Sequence, residues 1–370
     1  MKTTAGKHMT KIFCIILAFA FSYANAQPSP GLSSSASIYR NIENISIKRE
    51  VGPARNPSDI TLGANAKIEL LAKEHLQSQG TVALALIDNG TVVYEGYAKG
   101  ANEDHKFISF SMAKSLTALT VGEAYCSGKI NSLDDVAEKY APELKNIPIG
   151  KVTIRNLLKM SSGVRTAQSH HGQPYYKATD DLLFLRTSML DIMSKYSNNN
   201  ISFLGTPWNY SNMDTDALYF VIKGATGTTF SDYYQSTIGE KAGLKNVSYW
   251  GLDKDGNEIT HSFYYATLRD WIRISLYIRD QLKNKSGTCV SDFIKDATTT
   301  QAHANTSEFS NYGYQFFVKN KSTLNNDFWM VGFAGQRIGF NMKNDKIILN
   351  FAWTPEPERV YRLFKEFVNK

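Results

Sequence analysis

Cysteine is scarce in this chain, with three residues in 370. One of them, Cys14, lies in the apolar run IFCIILAFAF. The other two, Cys126 and Cys289, stand far apart, in no Cys-x-x-Cys pair and near no histidine cluster, which excludes a zinc-ribbon type of structural metal. They are expected as two separate buried thiols, a single disulfide being the alternative in an oxidising compartment. Charge is also sparse and nearly balanced. Net charge is +7, and it falls to +4 once Lys2, Lys7 and Lys11 are set aside, which gives no nucleic-acid or membrane footprint. No later stretch approaches the roughly 18 apolar residues needed to span a bilayer. A Gly-x-Ser-x-Gly elbow is missing too, which argues against an α/β-hydrolase.

What is present begins with an address. Three lysines without acids, the apolar run and then Ala24-Asn25-Ala26 read as a secretory signal peptide over residues 1–26, so the chain is expected to be exported, to the periplasm. Residues 27–60, rich in Ser, Pro, Asn and Gly without a sustained period, are expected to form an extended arm. From Ala64 the pattern sharpens. AKIELLAKEHLQSQG predicts an amphipathic helix closed by Gly80, and TVALALIDNGTVVYEGYA predicts a hairpin turning at Asn89-Gly90. Residues 106–304 carry mostly helical periods; YGYQFFVKN, FWMVGFAGQRIGFNMKN and KIILNFAW read as strands, and PEPERVYRLFKEFVNK as a terminal helix. Strands at both ends around a helical middle imply one α+β domain over 61–370, its antiparallel sheet built from both chain ends, flanked by helices and carrying an inserted helical region.

The chemistry is concentrated in Ser111-Met112-Ala113-Lys114, the one Ser-x-x-Lys string in the chain, which opens an apolar helix running to Tyr125. Residues three apart share a helical face. A serine hydroxyl is a poor nucleophile until a neighbour takes its proton, and a lysine whose pKa is lowered by desolvation can do so. Acyl transfer also needs a second proton handler. Tyr210-Ser211-Asn212 supplies a tyrosine on a loop entered through Gly205-Thr206-Pro207-Trp208 and followed by an amphipathic helix ending at Gly227. The same tripeptide at Tyr196-Ser197-Asn198 runs into Asn199-Asn200 and reads as an exposed loop.

In that order, Ser-x-x-Lys, Tyr-x-Asn about a hundred residues on and a Gly-bearing strand near the C-terminus, the chain resembles the serine β-lactamase and penicillin-recognising superfamily over roughly residues 65–370. Its Tyr-type second motif is similar to class C β-lactamases, D,D-peptidases, and the related esterases and 6-aminohexanoate-dimer hydrolases. The resemblance implies a nucleophile at Ser111, proton handlers at Lys114 and Tyr210, and an Asn212 that orients Lys114 or the substrate. Two third motifs compete. Lys285-Ser286-Gly287 matches the β-lactamase letters but ends a predicted helix. Phe333-Ala334-Gly335-Gln336 lies in a strand-like stretch, where Gly335 would let substrate lie along the strand edge and the Ser111 and Gln336 N–H groups would form the oxyanion hole.

On the second choice, Phe333 stands where β-lactamases carry a lysine, which moves the expectation toward the esterase and 6-aminohexanoate-dimer hydrolase branch, with Arg337 or Arg165 as replacements for the missing charge. Tyr175 and Tyr176, in SSGVRTAQSHHGQPYYKATDD, resemble in position the substrate-contacting aromatics of that branch, while His170-His171 reads as a solvated pair. The resemblance implies a small-molecule ester or amide as substrate and neither cofactor nor metal. Alternatives are a β-lactamase or D,D-carboxypeptidase, and a non-catalytic binding protein on the same scaffold.

Overall fold

The computed structural model describes residues 40–370 apart from 79, 164–180, 183–184, 197–206, 285, 305 and 324–326. The signal-like segment, Tyr175, Tyr176, His170, His171 and Arg165 lie outside the described residues.

The strands are β1 (Lys48–Val51), β2 (Thr61–Leu62), β3 (Thr81–Asp88), β4 (Thr91–Tyr97), β5 (Lys106–Ile108), β6 (Ser248–Gly251), β7 (Tyr264–Thr267), β8 (Ala302–His303), β9 (Phe309–Tyr312), β10 (Phe317–Asn320), β11 (Asp327–Val331), β12 (Arg337–Asn341) and β13 (Lys346–Ala352). The main sheet runs β2-β4-β3-β13-β12-β11-β10-β9-β8, antiparallel except for the β2–β4 pair at one edge. Early and late strands meet where β3 pairs with β13, as the sequence pattern implies. The β3–β4 turn places Asn89 and Gly90 at φ 48° and 82°, the left-handed backbone that Asn-Gly tolerates. Side chains alternate across a strand, and β3 uses both faces. Leu84 and Leu86 pack with Ile68, Ala72, Val360 and Phe364, under helices α1 (Ala66–Leu76) and α6 (Pro357–Val368). Ala83, Ala85 and Ile87 face the larger core on the other side.

That larger core holds α2 (Ala113–Cys126), buried from Ala113 through Ala124, and α3 (Asn212–Thr226), which packs along it. Ser211 caps the start of α3 by accepting the Asp214 N–H, and Gly227 ends it in the left-handed conformation at φ 70°. α4 (Leu268–Lys283) starts at the Thr267 cap, and α5 (Cys289–Ala297) starts at Thr288.

Three sequence expectations change. Part of the stretch read as a plain arm forms β1, which pairs with β6 and opens a second, four-stranded sheet in the order β1-β6-β7-β5. Cys126 and Cys289 are joined in a disulfide rather than standing as separate thiols. Close packing of α5 on α2 brings them within reach: a Cβ at Gly122 would lie 2.4 Å from the Phe293 ring, so only glycine admits that ring. The stretch read as one strand over 328–344 breaks at Phe333–Gly335 into a tight turn between β11 and β12, because Ala334 and Gly335 take φ of 56° and 93°.

Candidate active site

Ser111 stands at the junction of a tight turn, Phe110–Met112, with α2. Phe110 holds φ 42°, a left-handed backbone uncommon for a large side chain, and this kink presents the serine half-buried at the head of an otherwise buried helix. Lys114 follows one turn later, 1 % exposed. Its Nζ donates to Ser111 Oγ at 3.0 Å and to the His261 main-chain oxygen at 2.8 Å. Burial pulls its pKa down to about 7, against the opposing attraction of Asp216. At neutral pH this lysine is therefore divided between ammonium and free amine, as a general base requires.

Tyr210, half-buried, completes the group. Lys114 Nζ lies 5.1 Å from the centre of its ring. Its hydroxyl is pushed above the ordinary tyrosine range by burial, a hydrogen bond with Ser111 and the charge of Arg337 pulling the other way. It remains a phenol, able to give up a proton rather than to act as a phenolate. Trp208 and Phe317 hold the ring, Phe317 stacked at 6.0 Å and Trp208 tilted at 6.2 Å. Asn212, the first residue of α3, is 2 % exposed and has both side-chain polar atoms unpartnered among the described residues. It does not bond Lys114; a buried amide of this kind is costly unless substrate or water meets it.

The turn after β11 forms the facing wall. A Cβ on Gly332 would come 2.3 Å from the Ser109 oxygen, and the Phe333 ring meets Phe110 edge-on at 5.5 Å, so the turn lies against the segment that carries Ser111. Gln336 does not serve as expected. Its N–H turns back on the Phe333 oxygen at 3.3 Å, and its fully buried side chain grips Ala352, donating to the oxygen at 2.8 Å and accepting the N–H at 3.1 Å. The N–H that leads the turn, that of Phe333, is engaged by no hydrogen bond among the described residues, as expected for the first donor of a helical turn. Gly335 is required by packing: a Cβ there would stand 2.8 Å from Ala352 Cβ.

Arg337 is not a replacement for the missing lysine. It is 5 % exposed and committed to the oxygens of Gly332 and Gln336 at 2.5 and 3.0 Å, to Tyr361 and to Glu308. The rival motif is also set aside by its place: Ser286, Gly287 and Thr288 lie in the link between α4 and α5, where Thr288 caps α5. Sequence reasoning missed Asp216 and His261. Asp216 had a faint signal, an acid four residues after Asn212 on the same face of an apolar helix. His261 had none.

A buried lysine bonded to a half-exposed serine at the head of a central helix, with a tyrosine above and a tight turn across, is an arrangement able to carry serine acyl transfer. The chain belongs to the Beta-lactamase family, whose defining pattern it matches over residues 69–362 and whose members are serine hydrolases. It is 24% identical over 328 residues to Beta-lactamase-like protein 4 of Dictyostelium discoideum, across 76% of this chain and 57% of that protein, so it spans little more than half the relative's length. Its fold is similar to a candidate 6-aminohexanoate-dimer hydrolase from Bacillus anthracis, with TM-score 0.73 and 20% identity over 92% of this chain and 94% of the other. It is also similar to EstCE1, a hydrolase with promiscuous acyltransferase activity, with TM-score 0.65 and 13% identity over 82% and 97%. At these identities the two likenesses speak to fold alone.

Proposed function

We propose that this chain is an exported serine hydrolase that cleaves a small-molecule ester or amide through an acyl-enzyme on Ser111. The observation that carries the reading is the 3.0 Å contact between Ser111 Oγ and a fully buried Lys114 amine whose pKa is near 7. Free Lys114 takes the hydroxyl proton as Ser111 Oγ attacks the carbonyl. The N–H groups of Ser111 and Phe333 hold the oxyanion, and Asn212 meets a polar group of the substrate. Tyr210, kept as a phenol, protonates the departing alcohol or amine. Water then enters, loses a proton to the same groups and releases the acid. Because Arg337 is occupied and Phe333 replaces a cation, the turn as far as the described residues go favours acyl donors without a carboxylate beside the scissile bond, unlike penicillins. Export is supported by the signal-like first 26 residues together with the Cys126–Cys289 disulfide.

A panel of p-nitrophenyl esters, nitrocefin and a linear aminohexanoate dimer, run on the native chain and on Ser111→Ala, tests the proposal. Ester or dimer turnover that vanishes in Ser111→Ala is the expected result. Nitrocefin as the best substrate would transfer the chain to the antibiotic-hydrolysing branch. Turnover of nothing would leave a binding protein.

A further inference from the structure

Beneath Lys114 lies a second ionisable pair. His261 Nδ1 and Asp216 Oδ1 are 2.6 Å apart, with side chains 1 % and 3 % exposed. The same His261 offers its main-chain oxygen to Lys114 Nζ. Its other ring nitrogen, Nε2, is buried without a partner among the described residues. Burial lowers the His261 pKa and favours the neutral ring, whose Nδ1 lies in hydrogen-bond contact with the Asp216 carboxylate. The groups facing Lys114 among the described residues are thus Ser111 from the turn before α2, Tyr210 from the stretch before α3, Asp216 from α3, and His261 from the segment before β7. Only Asp216 among them brings a formal negative charge. Asp214, two residues earlier, turns its carboxyl toward Ser162, Ser211 and Tyr312 instead.

We infer that Asp216, held by His261, is a positioning residue that sets the proton affinity of Lys114 and so the pH at which Ser111 becomes reactive. Two opposed effects are in balance at Lys114. Burial alone drives a lysine toward permanent neutrality, and a base of very low proton affinity abstracts a serine proton poorly. A buried carboxylate nearby restores part of that affinity. His261 performs two tasks at once: its ring fixes the carboxylate and its main chain fixes the amine, so that the distance between the two charges is set by one residue. Asp216 touches neither substrate nor the reacting atoms.

This inference rests on the serine-lysine reading of the site, and its test separates the two. The rate of Ser111 phosphonylation by a fluorophosphonate is measured from about pH 5 to pH 9 on the native chain, Asp216→Asn, Asp216→Ser, Asp216→Glu and Asp214→Asn. In the native chain the rate rises with pH through about 7, as Lys114 loses its proton. Loss of the negative charge lowers the lysine's proton affinity. In Asp216→Asn and Asp216→Ser the rise therefore moves to lower pH by about one unit or more, and the alkaline plateau drops severalfold because the amine is a weaker base. Asp216→Glu keeps the rise near its native pH, and so does Asp214→Asn. The serine variant guards against a failure of the asparagine variant to fold. An unmoved rise in the folded neutral variants overturns the inference and leaves the serine-lysine site intact. So does an equal shift in Asp214→Asn, which would show that any buried acid on α3 suffices. Absence of labelling at Ser111 in the native chain overturns the underlying reading instead.

Discussion

The two walls of the site are made of different materials. On the α2 and α3 side, Lys114, Asp216 and His261 are all buried and ionisable, and two of them have proton affinities displaced by burial. On the turn side, residues 332–336 are pinned by Gln336 on Ala352, by Arg337 on Gly332 and Gln336, and by Asn350, whose amide donates to the Gly335 oxygen at 2.9 Å. None of those pins changes charge near neutral pH. One wall therefore stores electrostatics and the other geometry. Damage to the first should change how the reaction depends on pH, while damage to the second should change the rate and leave that dependence alone.

The hardest blow to the electrostatic wall is Lys114→Met. It should lower kcat/KM at least about a thousandfold, since nucleophile and base act as a unit. It should also stabilise the fold. Lys114 titrates near 7 in the native state and near its ordinary 10.5 when unfolded, so between those values the unfolded chain binds the extra proton and stability is lost as pH falls. Removing the amine removes that burden, for a gain of about 1–2 kcal/mol at pH 8 after the lost hydrogen bond to His261 is counted. Urea denaturation of both proteins at pH 8 checks it; a less stable variant would contradict the sign.

The geometric wall is challenged by Gln336→Ala. With its grip on Ala352 gone, the turn shifts and the Phe333 N–H, proposed above to hold the oxyanion, shifts with it. A drop of about 10- to 100-fold in kcat is expected, with the pH of half-maximal rate unchanged. A moved pH profile would show that the walls are not independent. At the far end of α2, Cys126→Ser with Cys289→Ser should cost about 2–4 kcal/mol of stability in denaturant melts while kcat/KM below the transition stays native. A large loss of activity in the folded double variant would mean that the helix relays strain to Ser111.

The smallest effect is expected at Asp214, whose carboxyl is raised to about 7 by burial, with Oδ2 lacking a partner among the described residues. The native state holds its proton up to about pH 7, and the unfolded chain releases it near 4. The penalty of the buried charge thus grows between those values and is full above 7. That shift corresponds to roughly 4 kcal/mol at pH 8, of which Asp214→Asn should recover about 1 once the hydrogen bonds with Ser162 and Ser211 are disrupted, and close to nothing at pH 4. A benefit that is larger at the acid end would reverse the argument.

Much of this was legible beforehand because it depends on local chemistry. Asn89-Gly90, Gly227 and the Ser-x-x-Lys spacing each declare a backbone or a helical face within a few residues. The central sheet followed from alternation at both ends of the chain. What escaped was set by contacts distant in sequence. His261 reaches Lys114 through its main chain, which no residue type announces. The turn at Phe333–Gly335 was hidden because FWMVGFAGQRIGF is apolar except for Gln336 and Arg337, and only the φ values of 56° at Ala334 and 93° at Gly335 reveal the break. Gln336 was assigned by letter to a role for its N–H, which instead turns back on the Phe333 oxygen. The disulfide depends on α5 lying against Gly122, a matter of helix packing across 163 residues.

The central claim is that Ser111 is the nucleophile. Intact-protein mass spectrometry after brief exposure to a fluorophosphonate, followed by peptide mapping, tests it most directly. The account predicts a single adduct on Ser111, formed faster at pH 8 than at pH 6 and absent from Ser111→Ala. An adduct that persists in Ser111→Ala, or ester hydrolysis that survives the substitution, would contradict it.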